Sequence, residues 1–414
     1  MTWLASPAHH RWLETETDRL LAFGRASRDT RGGFGRLDAA GALDATDGVE
    51  GIVELWITCR MTHVYSLGAL LGRPGAAPLA DHGIDALLGR LRDEEHGGWF
   101  ASVGPDGPVN DAKEAYGHAF VILAAASATA AGRPGAAALL EDAIAVHSER
   151  FWDAAYGMSR ESFSRDWADE EDYRGINANM HTLEAYLAAA DVTGNHELLG
   201  RSLRIATRAL DTLARAHGWR LPEHFDADWN PLLDFNEAEP AHPFRPYGAT
   251  IGHSFEWARL TVQLASSLQQ AGLAAPEWMV PAARSLYAQG VTDGWSVDGE
   301  PGFVYTVDWE GAPVVRERMH WVAAEAIGAA AVLWRRTKAA EYATQYQQWW
   351  DYTGEHLIDD AHGSWHHELS ATNGPSATVW PGKPDLYHAV QATLIPRLPI
   401  SPALAPSLAA GTLG

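Results

Sequence analysis

Apolar side chains recur every three or four residues in twelve segments of the chain, which is the spacing of one face of an α-helix. Six segments are the more apolar and alanine-rich: 50–71, 114–131, 177–190, 251–270, 319–334 and 385–395. Six others alternate with them and carry more Arg, Glu, Asp and Gln: 11–26, 79–91, 136–151, 197–216, 282–289 and 339–357. Because alanine lets helices approach closely and charged residues suit a solvent-facing surface, the pattern predicts six inner helices surrounded by six outer helices.

A short Gly-aromatic pattern recurs between these segments, at intervals of about 60 to 75 residues. Its six copies are Gly33-Phe34, Gly98-Trp99, Tyr156-Gly157-Met158, Gly218-Trp219, Gly294-Trp295 and Gly363-Ser364-Trp365. Most copies are followed by a turn containing Asp, Asn, Gly or Pro, which is typical of a short β-hairpin. Six helix-hairpin-helix units predict an all-α fold, an (α/α)6 barrel of six helix pairs with short β-hairpin loops. An irregular α-solenoid built from the same units is the alternative.

Composition narrows the class of protein. No linker or low-complexity tract divides the chain, so we expect residues 1–414 to form a single domain. The net charge of -22 argues against a nucleic-acid or anionic-membrane partner, which would require clustered Lys and Arg. The single cysteine, Cys59, excludes an intramolecular disulfide and every multi-cysteine metal site. With neither a secretory signal nor a membrane-spanning apolar run visible, we expect a cytoplasmic protein.

Polar residues collect near the N-terminal halves of all six predicted inner helices. In chain order they are Arg60 and His63; Tyr116 and His118; Asn177 and His181; His253 and Glu256; Trp321 and Glu325; and Tyr387, His388 and Gln391. If the inner helices of a barrel run parallel, these ends meet at one rim. The sequence therefore predicts that residues from six distant segments line one pocket.

The residue types at this rim indicate proton transfer on a sugar. Histidine titrates near neutral pH, so His253 and His388 can take up a proton and return it. Both lie near helix starts, whose free N–H groups favour a developing oxyanion such as an enediolate. Arg60 can polarise the same oxygens. The remaining residues can bind the sugar itself. Trp321 and Tyr116 can pack against its apolar face, and Glu256, Glu325 and Asn177 can bind its hydroxyls.

Other chemistries fit the sequence less well. It contains no Gly-x-Ser-x-Gly, no Walker loop and no His-Glu-x-x-His. The tandem pairs His9-His10 and His366-His367 lack partners at metal-ligand spacing, so we expect structural or surface roles for them and no metal site. A glycoside hydrolase would need two opposed carboxylates, and acidic residues are plentiful enough to keep this alternative open. A non-catalytic carbohydrate-binding or scaffold protein is a third interpretation.

Six stretches resemble the N-acylglucosamine 2-epimerase superfamily, and within it the branch of mannose isomerases and sulfoquinovose isomerases. They are TCRMTH (58–63), KEAYGHAF (113–120), YRGINANMH (173–181), PYGATIGHSFEW (246–257), HWVAAE (320–325) and GKPDLYH (382–388). The resemblance implies an (α/α)6 barrel that catalyses aldose–ketose isomerisation or C2 epimerisation without a metal or redox cofactor. We expect a monosaccharide substrate, no nucleic-acid or membrane partner, and a monomer or homodimer.

Motif by motif, the resemblance assigns His253 and His388 to the acid/base pair. It assigns the substrate-binding positions to Arg60, Tyr116, Asn177, His181, Glu256, Trp321 and Glu325. The forms NANMH and GKPDLYH favour interconversion of D-mannose and D-fructose, with D-lyxose and D-xylulose as a further pair. Sugar 2-epimerases keep paired histidines too, and a sulfoquinovose isomerase would need a second cation besides Arg60, so both remain alternatives.

Overall fold

Helices alternate between two layers along the chain in the computed structural model, which describes residues 2–46 and 48–413. The outer layer consists of α1 (Pro7–Phe23), α3 (Ala76–Leu88), α5 (Ala136–Val146), α7 (His196–Ala206), α9 (Met279–Gly294) and α11 (Ala340–Tyr352). The inner layer consists of α2 (Leu55–Leu70), α4 (Ala115–Ala130), α6 (Ile176–Thr193), α8 (Ile251–Gln270), α10 (His320–Thr337) and α12 (Tyr387–Leu394). All twelve predicted helices are therefore present.

The inner helices form a closed ring. Each packs against the next, from α2 to α12, and α12 packs back against α2. Each of α3, α5, α7, α9 and α11 packs on the inner helix that precedes it, whereas α1 covers α12. The prediction of an (α/α)6 barrel is confirmed, and an open solenoid is wrong because the first and last inner helices meet. Alanines at the ring contacts, such as Ala124, Ala185 and Ala329, are fully buried and allow this close approach.

Several helix ends differ from the predicted ones for local reasons. Helix α2 begins at Leu55 rather than at residue 50, because Val53–Glu54 forms a strand first. Helix α12 begins at Tyr387 rather than at residue 385, and the Tyr387 backbone N–H donates to Asp385 Oδ1 at 2.8 Å. Helices α5, α7 and α11 continue through π-helical turns at 147–151, 207–214 and 353–357, which explains the longer predicted segments.

Short antiparallel strands line the rim where the inner helices begin. Five pairs join the residues before an inner helix to the loop after the next outer helix: β1 (Val53–Glu54) with β2 (Ser102–Gly104), β4 (Lys113–Glu114) with β7 (Ser162–Phe163), β8 (Tyr173–Gly175) with β9 (His224–Asp226), β10 (Ala249–Thr250) with β11 (Thr306–Val307), and β12 (Arg318–Met319) with β13 (Glu368–Leu369). Local hairpins are formed by β2 with β3 (Gly107–Asn110) and by β5 (Trp152–Asp153) with β6 (Met158–Ser159). The predicted hairpin loops thus also tie consecutive units together.

The opposite end of the barrel is closed by α13 (Leu404–Ala409), which the sequence pattern did not predict. It packs against α2, α4 and α6. None of the described helices is both long enough and apolar enough to cross a membrane. With the base covered in this way, the polar residues of the inner helices face a cavity at the strand-lined rim.

Candidate active site

A cavity of about 640 Å³, measured to its open mouth, lies at the rim where the inner helices begin. Eight of the nine predicted site residues line it: Arg60, Tyr116, Asn177, His181, His253, Glu256, Trp321 and His388. The ninth, Glu325, lies directly behind His388. The structure thus brings together residues that are more than 300 positions apart in the chain, such as Arg60 and His388.

His388 is held by a buried carboxylate. Its Nδ1 lies 2.9 Å from Glu325 Oε1, while Glu325 Oε2 accepts a hydrogen bond of 2.9 Å from Arg259 Nε. Because a carboxylate only accepts, Nδ1 carries the imidazole proton and Nε2 keeps its lone pair. Burial, and then the nearby charge of Arg60, hold the pKa of His388 well below its usual value. The ring is therefore a neutral base at neutral pH.

His253 has a corresponding partner in Glu223. Its Nδ1 lies 3.0 Å from both carboxylate oxygens of Glu223. The indole of Trp321 lies beside both histidines, with ring centroids 5.3 Å from His253 and 5.6 Å from His388. Gly252 leaves the space that this indole fills, since a Cβ there would overlap the ring. The two imidazoles thus share one aromatic neighbour on the cavity wall.

Arg60 lies in an aromatic and acidic environment. Its guanidinium is 4.9 Å from the ring centroid of Trp56 and 4.8 Å from that of Tyr387. Nη1 donates to Asp385 Oδ2 at 3.1 Å, and Nη2 donates to the Tyr116 hydroxyl at 2.8 Å. The side chain is fixed before any ligand binds, and its charge is already balanced by Asp385.

Helix α6 contributes an amide and an imidazole to the same cavity. The buried Oδ1 of Asn177 has no hydrogen-bond partner among the described residues, so it is free to accept from a bound hydroxyl. His181 Nδ1 lies 3.4 Å from Glu184 Oε2, and its ring packs edge-on against Tyr116 with centroids 5.3 Å apart. Burial lowers the pKa of His181 to about 4, so this imidazole is neutral too.

At the base of the cavity, two groups of side chains lie close enough together to hold a metal ion: His181, Glu184 and Glu256, and Glu256, Glu325 and His388. A guanidinium already supplies positive charge there. Arg259 Nε is 2.9 Å from Glu325, Nη2 is 3.2 Å from Glu256, and Nη1 is 3.6 Å from Glu184. These distances are those of ion pairs, so the cluster is organised around an arginine that would repel a cation.

Two histidines singled out by the helix pattern are not at the cavity. His118 packs between Trp99 and Phe151, and its Nδ1 lies 2.7 Å from the backbone oxygen of Glu114. His63 lies deeper in the barrel, 2.7 Å from Ser127 Oγ. His118 does lie near the start of α4, but side-chain direction around the helix decides which layer a residue faces, and His63 lies in the middle of α2.

The sequence interpretation missed several cavity residues. The expected surface role of His367 is wrong: the residue is buried, its ring stacks on that of His320 at a centroid distance of 3.8 Å, and both line the cavity. Further cavity residues come from loops and helix starts: Trp56, Pro243, Phe244, Pro246, Tyr305, Trp380, Pro384 and Asp385. Glu223 follows a Gly-aromatic copy, but nothing in its spacing pointed to His253.

Fold and site together define a closed (α/α)6-barrel protein with carboxylate-oriented imidazoles at the open end of the ring. Residues 32–392 match the N-acylglucosamine 2-epimerase (GlcNAc 2-epimerase) family. The chain belongs to this family, as its motifs suggested.

Several proteins similar to this chain are named D-mannose isomerase. A D-mannose isomerase from Thermobifida fusca is 51% identical over 409 residues, which cover 98% of each chain. A D-mannose isomerase from Pseudomonas cannabina pv. alisalensis is 50% identical over 410 residues, or 99% of this chain and 97% of the relative. A crystal structure of a D-mannose isomerase superposes with a TM-score of 0.86 at 27% identity, covering 95% of this chain and 99% of that one.

Proposed function

We propose that this protein is an aldose–ketose isomerase that interconverts D-mannose and D-fructose, with D-lyxose and D-xylulose as a further pair. The observation that carries the proposal is the pair of imidazoles, His253 and His388, each oriented by a carboxylate and both facing one cavity beside Trp321. Full-length similarity to two proteins named D-mannose isomerase supports the choice of sugar.

In the proposed mechanism, His388 is the carbon acid/base. Its unprotonated Nε2 removes the proton from C2 of the open-chain aldose, and the electron pair forms the C1–C2 double bond of a cis-enediol as the carbonyl oxygen on C1 takes up a proton. The same imidazole then returns the proton to C1 on the same face while the C2 hydroxyl gives up its proton, which produces the ketose. Glu325 stabilises the transient imidazolium and keeps its ring oriented.

The other cavity residues bind and open the sugar. As the C1–O5 bond breaks, His253 accepts the proton of the anomeric hydroxyl, and the ring oxygen takes up a proton moved by His388 or His181; Glu223 holds the orientation of His253. Arg60 donates to the substrate oxygens, and Asn177 Oδ1 accepts from a hydroxyl. The indole of Trp321 packs against the C–H face of the sugar. Arg60 and His253 are buried, so their hydrogen bonds act without competition from bulk water.

A C2 epimerase is the second candidate, because His253 presents a second imidazole to the same cavity. Were His253 to protonate C2 from the opposite face, mannose would give glucose instead of fructose. Incubation of D-mannose in heavy water, followed by NMR, separates the two reactions. We expect deuterium at C1 of fructose, whereas deuterium at C2 of glucose as the main product would establish the epimerase.

Two alternatives have less support from the cavity. Among the described residues lining it, Arg60 is the one permanent cation and it is neutralised by Asp385, which disfavours a sulfonate as in sulfoquinovose. A glycoside hydrolase needs two opposed carboxyl groups, and of the two acids that line the cavity, Glu256 and Asp385, the second is engaged with Arg60. No release of reducing ends from oligosaccharides and no turnover of sulfoquinovose are therefore expected.

We further propose that the enzyme works without a metal or redox cofactor, as a single cytoplasmic domain spanning 1–414, in monomeric or homodimeric form and without a nucleic-acid partner. The ion pairs of Arg259 support the first point, and the net charge of -22 supports the last. Activity that survives prolonged chelation and dialysis, together with light scattering of the purified protein, tests cofactor dependence and oligomeric state.

Single substitutions test the histidine assignments. His388→Asn and His253→Asn keep side chains of similar polarity but remove the titrating ring, and we expect kcat for mannose to fall by about 10²–10⁴-fold in each. His362→Asn, at an exposed histidine outside the cavity, is the matched control and should retain full activity. If both cavity variants isomerised mannose at the wild-type rate, the catalytic assignments of His253 and His388 would be wrong. If the wild-type protein did not convert mannose, the proposed substrate would be wrong.

A further inference from the structure

Three buried carboxylates share one guanidinium below the cavity. Arg259 on α8 is an ion-pair partner of Glu184, Glu256 and Glu325, from helices α6, α8 and α10. The neighbouring His181 and His388 are neutral, because burial holds the pKa of each below its usual value. If all three acids were ionised, the cluster would carry two uncompensated negative charges in the barrel interior, which is strongly unfavourable.

Hydrogen-bond donors are distributed unequally among the three acids. Glu184 accepts from the Tyr387 hydroxyl and, at 3.3 Å, from Gln391 Nε2. Glu325 accepts from both Arg259 Nε and His388 Nδ1 at 2.9 Å. Glu256 accepts one hydrogen bond, of 3.2 Å from Arg259, and no described donor reaches its Oε2.

Of the three acids in the cluster, Glu256 is therefore the one that holds a proton. Burial raises the pKa of both Glu256 and Glu325, and the charge of Glu325 raises that of Glu256 further. Burial also acts on Glu184, but its hydrogen bond to His181 and the charge of Arg259 hold its pKa below the usual value. The acid with the fewest donors is the one that stays protonated.

We propose that Glu256 is a neutral carboxylic acid in the resting enzyme and carries the proton between the two reacting oxygens of the sugar. This inference rests on the proposed isomerase function. Glu256 lines the cavity, and one of its oxygens lies within 4.8 Å of a ring nitrogen of His388. One substrate can therefore contact the carbon base and this acid together.

The step balances with two groups. His388 takes the C2 proton while the Glu256 carboxyl gives its proton to the carbonyl oxygen on C1, leaving the enediol, an imidazolium and a carboxylate. The Glu256 carboxylate then takes the proton of the C2 hydroxyl as the imidazolium protonates C1. The ketose forms, and both residues return to their starting states without any oxidant or co-reactant.

The charged and titratable groups around Glu256 come from all six inner helices: Arg60, Tyr116, His181, Glu184, Arg259, Glu325, Tyr387 and His388. The reaction requires Glu256 protonated and His388 neutral. Because the folded-state pKa of Glu256 is raised, the carboxyl keeps its proton at neutral pH and loses it as the pH rises through that pKa. Glu256 thus sets the alkaline limit of kcat.

Glu256→Gln tests the shuttle, since the amide keeps a hydrogen-bond donor in the same place but cannot exchange a proton. We expect KM for mannose to stay within about threefold of wild type, kcat to fall by about 10²–10⁴-fold, and the alkaline limit of kcat to disappear. Glu341→Gln, at an exposed glutamate on α11, is the control and should change none of these. An unchanged kcat, or a loss confined to KM, would reduce Glu256 to a binding residue.

Infrared spectroscopy reads the proton directly and does not depend on turnover. The wild-type minus Glu256→Gln difference spectrum at pH 7 should contain a carboxylic-acid C=O band that shifts in heavy water, and Glu341→Gln should produce none. Absence of that band in an enzyme that still isomerises mannose would overturn the protonation of Glu256 while leaving the proposed function intact. If the band is present but the wild-type protein converts no sugar, the proposed isomerase function, on which the shuttle depends, is wrong instead.

Discussion

Arg259 offers the sharpest test of how the barrel interior is held together. Its side chain is 2% exposed and is an ion-pair partner of three carboxylates, two of them within 3.2 Å. Arg259→Met keeps similar length and removes the charge. Breaking a buried ion pair by removing one partner costs about 3–5 kcal/mol, because the remaining charge is left uncompensated. We expect a loss of free energy of unfolding in this range at pH 7.5.

The pH dependence of this loss follows from the same contacts. In the variant, the carboxyls lack the guanidinium that opposed burial, so their folded-state pKa values rise above the unfolded ones. An acid with a raised folded-state pKa stabilises the protein when protonated and loses that contribution as the pH rises. The deficit of Arg259→Met should therefore be largest at neutral pH and should shrink as the pH falls toward 5.

Urea unfolding followed by circular dichroism and tryptophan fluorescence, at pH 7.5 and pH 5, measures both effects. Arg215→Met is the control, because Arg215 forms a helical i,i+4 ion pair with Asp211 at 2.6 Å while its side chain is 49% exposed. Removing an exposed pair of this kind should cost no more than about 0.5 kcal/mol. Equal losses in the two variants, or a deficit for Arg259→Met that grows on acidification, would refute the reasoning.

Three further predictions concern the cavity. Glu325→Gln removes the acceptor that orients His388, so kcat for mannose should fall by about 10²–10⁴-fold with little change in circular dichroism; an unchanged kcat would contradict the positioning role. Gly252→Ala should displace Trp321 and raise KM, because the new Cβ would overlap the indole ring. In the control Gly200→Ala, on an outer helix, the new Cβ meets nothing within 4 Å, so the kinetics should not change. Crystal structures and KM values of both variants decide this. Because burial holds the pKa of His388 below 6.5, kcat/KM should stay level as the pH falls through 6.5 and should decline only at lower pH. A midpoint at or above 6.5 in the pH profile would show that another group limits the rate.

Much of the candidate site was predictable because its residues recur at equivalent points of a repeated unit. His253 and His388 are the third residue of α8 and the second residue of α12, and Trp321 is the second residue of α10. Once the inner helices are known to run parallel, helix-start residues must share a rim. The same rule failed for His118, because position along a helix does not determine which side of it a residue faces.

The linear pattern of apolar and polar residues determined the twelve helices of the barrel, their division into two layers and the rim at which polar side chains collect, since these depend on periodicity and local chain signals. Only the folded ring decided which charges meet. Glu223 contacts His253, Asp385 contacts Arg60, and Arg259 joins three acids from three helices. Such pairings depend on distances between segments far apart in sequence, and those distances exist only after the first and last inner helices have packed together.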